Sequence, residues 1–213
     1  RLVHTDAAGL APARGELRAD RLDLAALAQI ASRLPLAAAA HDAIRTYAPK
    51  GLVHEIQAAW SGPLERLQKY QVRARIEGLA LAGDKAGVAP SHLGLRGATV
   101  DIDMTQAGGK AALAITAGAL VLPGVFEDPV VPLDRLNADV RWQLEGDRIA
   151  VQANDMQFAN ADAQGQARAT WHTSVAAPTN GPARFPGVLD LTGSLTRANG
   201  ARVHRYLPLA IDK

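Results

Sequence analysis

The chain has 213 residues, 48% of them hydrophobic and 21% charged, which is typical of a globular protein rather than a disordered one. Its net charge is only +2 and no run of Lys or Arg occurs, so a nucleic-acid partner, which requires a concentrated basic patch, is not expected. The chain has no cysteine, which excludes disulfides and thiolate metal sites, and no stretch of about 20 apolar residues able to span a bilayer.

The N-terminal quarter contains the only predicted helices. Residues 1–22 form a leading region with one short strand, Gly15–Leu22. Residues 23–48 form two helices, because apolar residues recur there at spacings of three and four. Asp23 is suited to cap the first helix, and Pro35 to begin the second. We expect both helices to dock on a sheet or to plug one end of it.

Residues 52–213 are predicted to be β-structure throughout. Tyr70–Ile76 sets the pattern, in which apolar and polar side chains alternate and therefore point to opposite faces of a strand. The same alternation recurs at Ala98–Met104, Ala112–Thr116, Leu136–Leu144, Ile149–Ala153 and Val188–Leu195.

Short polar turns between these segments predict an antiparallel meander. Gln106–Gly109 and Glu145–Asp147 are typical hairpin connections, and residues 83–90 and 177–186 are predicted loops. No crossover helices separate the strands, so a parallel sheet is not expected. The predicted organisation is a single segment, residues 1–213, of a longer polypeptide, since there is no initiator methionine or signal peptide.

No constellation of residues points to catalysis or to a metal. The six histidines are isolated from one another, and Asp101 and Asp103 share a strand face without a third ligand nearby in the sequence. Neither a nucleophile elbow nor a phosphate-binding glycine loop occurs. We therefore predict a protein that is not an enzyme and that uses no cofactor.

The candidate functional feature is the apolar face of the alternating strands. It could be the core of a closed sandwich or barrel, or the floor of an open groove that receives acyl chains. The short helical region and the 4% content of aromatic residues favour the groove, because little is available to cover or fill a closed core. The predicted lipid-facing residues are Val72, Ile76, Val100, Ile102, Leu113, Ile115, Val140, Trp142, Ile149 and Val151.

The sequence resembles the AsmA-like envelope proteins, in particular their YhdP-type branch. The resemblance covers some 160 residues and rests on the order of several short motifs along the chain. These motifs are Tyr47–Gly51 before a strand that ends in Trp60, Leu93–Gly97, Leu122–Pro129 followed by Leu133, Leu136 and Trp142, Phe158–Gly165, Leu189–Gly193, and Arg205–Pro208.

This resemblance implies a fold, a location and a function. The fold would be a long, twisted antiparallel sheet forming an open groove, and the location would be the periplasmic region of a protein anchored in the inner membrane outside this segment. The function would be bridge-like transport of phospholipids between inner and outer membranes. The partners would be phospholipid acyl chains and neighbouring segments of the same polypeptide, with other envelope proteins as further candidates.

Two alternatives to a lipid path stay open at this point. One is a structural periplasmic scaffold, or an assembly factor for outer-membrane proteins, that uses its sheet edges without binding lipid. The other is a closed carrier of one small ligand, similar to a lipocalin.

Overall fold

The fold was analysed in a computed structural model that describes residues 1–5, 13–63, 67–83, 92–173, 187–206 and 209. The described residues form ten strands, two α-helices and a short 3₁₀ helix, Gly200–Tyr206. The strands are β1 Leu2–Thr5, β2 Arg14–Asp23, β3 Lys50–Ser61, β4 Lys69–Leu81, β5 Gly94–Thr105, β6 Gly108–Val121, β7 Val130–Glu145, β8 Arg148–Ala159, β9 Ala163–Thr173 and β10 Gly187–Ala198.

All ten described strands belong to one sheet, in which each strand pairs with its neighbours in the sequence and every pairing is antiparallel. The sheet is not closed, since β1 and β10 each pair on one side only among the described residues. The predicted meander and open sheet are therefore confirmed, and the sandwich and barrel are not the arrangement of these strands. Both predicted hairpins are also present, but the predicted loops at 83–90 and 177–186 lie almost entirely outside the described residues.

The two helices, α1 Leu24–Ala31 and α2 Ala38–Tyr47, lie in the connection between β2 and β3. Asp23 caps α1 as predicted, because its Oδ1 accepts a hydrogen bond of 2.8 Å from the backbone N–H of Ala26. α2 begins after an extended Ala37 instead of at Pro35, and no side chain caps it. α1 lies mainly against β2 and β3 of the sheet, and its Leu24 packs against the buried core on the apolar face.

Bulges bend most of the central strands. Positive φ angles occur at Glu55, Gly78, Gly97, Ala117 and Asp155, which lie in β3, β4, β5, β6 and β8. The strand register shifts near these positions in the pairings that they join. Because a bulge bends its strand and increases the local twist, bulges in neighbouring strands give the sheet its curvature.

The buried core lies on one face of this curved sheet and towards one end of its strands. Its cluster consists of Leu79, Ala98, Val100, Ile115, Leu133 and Leu136, and Leu24 of α1 packs against it. We call the strand ends that carry the connections β2–β3, β4–β5, β6–β7 and β8–β9 the helix edge, and the opposite ends the turn edge. The cluster lies nearer the helix edge.

The strain at one bulge can be tested with a matched pair of alanines in β6. Ala117 and Ala112 are both exposed, but only Ala117 has a positive φ, of 53°. Ala117→Gly should leave the free energy of unfolding unchanged or raise it by up to about 1 kcal/mol, because glycine adopts this conformation without a steric penalty. Ala112→Gly should lower it by about 0.5–1 kcal/mol. Urea denaturation measures the free energy of unfolding of both variants. An equal loss of stability in the two would contradict a strained backbone at Ala117.

Candidate functional site: the apolar face of the sheet

The strand register brings all ten predicted lipid-facing residues onto the same face of the sheet. Side chains of directly opposed residues in neighbouring strands lie on one face. Val100 is opposed to Ile76 on one side and to Leu113 on the other. Trp142 and Val151 are likewise opposed to each other, in β7 and β8. The remaining predicted residues lie on the same face because each is an even number of residues away, along its own strand, from a residue of this face.

These ten residues divide between two parts of the face. Ile115 is fully buried and Val100 is 7% exposed, so both belong to the core cluster, and Ile76, Ile102 and Leu113 pack against it. We call this part the closed half. The other five residues are only partly buried and lie outside the cluster; they form the open half: Val72, Val140, Trp142, Ile149 and Val151.

At two pairs of adjacent alanines the apolar face is more enclosed than the polar face. Adjacent alanines in β3 and β6 allow a comparison without any difference in side-chain size. Ala58 and Ala111, on the apolar face, are partly buried, whereas Ala59 and Ala112, on the polar face, are exposed. The side chains opposed to Ala58 are Leu17 and Val72, which are no longer than the Glu and Gln opposed to Ala59. Longer neighbouring side chains therefore do not explain the difference at these positions.

The face extends further than the sequence analysis predicted. Trp171 of β9 lies between Val151 of β8 and Leu189 of β10 in the register. Leu189, Leu191 and Leu195 are 60%, 65% and 60% exposed. The alternation of β9 was not recognised in the sequence, because its residues on the apolar face before Trp171 are glycine and alanine. These residues give only a weak hydrophobic alternation.

The polar face carries paired charges instead of a site for acyl chains. Asp103 Oδ2 lies 3.1 Å from Arg73 Nε, and Asp101 Oδ2 lies 2.8 Å from Arg75 Nη1. The pKa of Arg75 is raised above its ordinary value, mainly by the negative charge of Asp101. A depression of about 540 Å³ on this face is lined by these four residues together with others of both signs.

The Asp101–Asp103 pair thus engages the arginines of β4, as expected for a solvated strand face. Within the described ranges, no group of three or more His, Asp or Glu side chains could hold a metal ion. In the same part of the chain, no helix is long and apolar enough to cross a membrane.

A polar cluster at the helix edge fixes the end of the sheet. Asn160 Oδ1 accepts hydrogen bonds from the backbone N–H groups of Asp162 and Ala163, at 2.9 and 2.8 Å. The Asn160 amide donates to the Tyr206 hydroxyl at 3.1 Å, and that hydroxyl donates to Asp162 Oδ2 at 2.9 Å. Arg205 then joins Asp162 to Asp128 in the β6–β7 connection. The cluster therefore ties the 3₁₀ helix and two connections together.

Asn160 and Asp162 are buried, at 5% and 8% exposure, as this network requires. Burial of the Tyr206 ring, followed by its hydrogen bond to Asp162, raises the pKa of the phenol. The bonds of Asn160 and Asp162 to Tyr206 were not predicted from the sequence, because Tyr206 is more than 40 residues away in the chain.

The architecture and the motifs together define the class of protein. An open antiparallel sheet with one continuous apolar face agrees with the groove that the resemblance to AsmA-like envelope proteins implied. Residues 3–212 match the family model described as YhdP protein, so the chain belongs to the YhdP family. AsmA-like proteins are transport or scaffold proteins rather than enzymes. No curated protein and no solved structure matches the chain significantly.

The polar cluster can be tested by removing a single hydroxyl. Tyr206→Phe should lower the free energy of unfolding by about 1 kcal/mol or more, because Asp162 and Asn160 each lose a hydrogen-bond partner. Tyr70→Phe is the matched control, since the Tyr70 hydroxyl makes no hydrogen bond to any described residue. Denaturant unfolding of both variants gives the comparison, and equal stabilities would show that the cluster does not hold the helix edge.

Proposed function

We propose that this chain is a segment of a bridge-like phospholipid transport protein, and that its apolar face lines a path for acyl chains between the inner and outer membranes. In this proposal the segment lies in the periplasm and belongs to a polypeptide anchored in the inner membrane. Membership of the YhdP family supports the proposal, and the observation that carries it is the open half of the apolar face.

The register arranges the open half as continuous rows that run across the strands. One row passes through Val72, Met104, Gly109, Trp142, Val151 and Trp171, from β4 to β9. With strands about 4.8 Å apart, these six strands span about 24 Å, which exceeds the ~15 Å depth of the acyl chains in one leaflet. The row is therefore long enough for acyl chains to pass from strand to strand.

A second row lies where the open half meets the closed half and passes through Ala74, Ile102, Ala111, Val140, Ala153 and Ala169. Along both rows, no described position of the apolar face carries a charged side chain. A surface without charged side chains binds acyl chains without selecting among them. Each buried CH₂ group contributes about 0.8 kcal/mol, so even a few groups outweigh thermal energy.

The alanines of the second row give the path its depth. Four of its six side chains are single methyl groups, which leave space above the strands that larger side chains would fill. The sheet obtains its stability instead from the closed half, where Leu79, Ile115 and Leu136 are packed together. Stability and lipid contact are thus assigned to different ends of the same strands.

A charge introduced into the open half tests this proposal. Val140→Asp should abolish or strongly reduce the phospholipid that co-purifies with the chain, because a carboxylate cannot be buried under acyl chains without a large desolvation cost. Gln143→Asp adds the same charge to the same strand but on the exposed polar face, and it should leave lipid occupancy unchanged. Native mass spectrometry counts the bound lipids in each protein.

The same spectra separate the proposal from its alternatives. A heterogeneous set of phospholipids on the unmodified chain, reduced only by Val140→Asp, supports the path. A chain that never carries lipid favours the structural scaffold or assembly factor, and a single defined ligand favours the closed carrier. Equal occupancy in the two variants would place the lipid somewhere other than the open half.

A further inference from the structure

The three tryptophans of the chain all lie on the apolar face, and all near the turn edge. Trp60 is the second-last residue of β3, Trp142 lies close to the end of β7, and Trp171 lies close to the end of β9. Tyr70, at the start of β4, is directly opposed to Trp60. The strands thus place a line of amphipathic rings along one edge of the sheet.

Each indole ring lies against a glycine of the neighbouring strand. A methyl group added to Gly15 would lie 2.2 Å from Trp60 Cζ2, and one added to Gly109 would lie 2.6 Å from Trp142 Cζ2. One added to Gly187 would lie 2.5 Å from Trp171 Cε2. Such close approach is possible only because glycine has no Cβ, so the rings lie across the sheet instead of standing upright from it.

These rings do not contribute to the core. None of the three tryptophans belongs to the buried cluster or to the residues described as packed against it, and all three are only partly buried. A tryptophan buries more apolar area than any other residue, so a sheet selected for stability alone would place it in the closed half. Their position instead marks a boundary, with the apolar rows on one side and exposed polar residues of the turn edge, such as Lys69, Gln106 and Glu145, on the other.

The two edges of the sheet also differ in how open they are. At the helix edge the core is buried and the connections are fastened by Asn160, Asp162 and Tyr206. At the turn edge the apolar face is only partly buried up to the ends of the strands. Among the described residues, a phospholipid whose headgroup must stay in water therefore has more room for that headgroup at the turn edge than at the helix edge.

We infer that the tryptophan line at the turn edge holds the glycerol and ester region of each phospholipid, so that the lipid is bound in one orientation, with its headgroup at this edge and its acyl chains directed towards the closed half. Indole rings favour such boundaries because their body is apolar and their N–H is a hydrogen-bond donor. The indole nitrogen of Trp60 is buried, so the donors of the line are those of Trp142 and Trp171. This inference rests on the proposed function and adds the direction in which the lipid lies.

Fluorescence quenching in a chain with one tryptophan tests the orientation. Trp60→Phe combined with Trp171→Phe leaves Trp142 as the only indole. The protein is loaded with phosphatidylcholine that carries bromine atoms either close to the ester groups or at the methyl ends of the chains. Bromine near the ester groups should cause the greater loss of Trp142 fluorescence, at equal lipid occupancy measured by native mass spectrometry.

Greater quenching by bromine at the methyl ends, or bound lipid without quenching by either probe, would overturn the orientation while leaving lipid binding intact. A protein that takes up no lipid would instead contradict the proposed function itself, and the orientation with it. If the double variant does not fold, Trp60→Phe with Trp142→Phe leaves Trp171, which lies on the same line and should give the same order of quenching.

Discussion

A single sheet with one apolar face and no second layer is the constraint from which the other features of this protein follow. In most β-proteins a second sheet or a layer of helices covers such a face. Here α1 lies mainly against β2 and β3, and the described strands form one sheet with no second sheet over it. The face must therefore bury itself, and it does so through curvature and through the packing of side chains in neighbouring strands.

Curvature and side-chain size together divide the face. Large aliphatic side chains near the helix edge, such as Ile115 and Leu136, meet across neighbouring strands and form a buried cluster. Towards the turn edge the inward positions are often alanine or glycine, and the larger residues Val140 and Trp142 remain partly exposed. The same alternation thus stabilises one half of the sheet and leaves an apolar surface on the other half.

Much of this arrangement is predictable from the sequence. Strict alternation determines which residues share a strand face, and short turns determine the antiparallel order; the ten candidate residues do lie on one face. The division into two halves was not predictable, because it depends on bulges at Glu55, Ala117 and Asp155, where no glycine marks the positive φ. The hydrogen-bond partners of Asn160 could not be predicted either, because a hydrogen bond between residues far apart in the chain produces no periodic pattern in the sequence.

Photocrosslinking on adjacent residues of β7 tests most directly whether lipid contacts the open half. A photoreactive amino acid replaces either Val140, on the apolar face, or Arg141, on the exposed polar face, in cells supplied with radiolabelled phosphate. Radiolabelled phospholipid should become attached to the chain carrying the probe at residue 140 and not to the chain carrying it at residue 141. Equal labelling at both positions, or labelling at residue 141 alone, would contradict a lipid path on the apolar face.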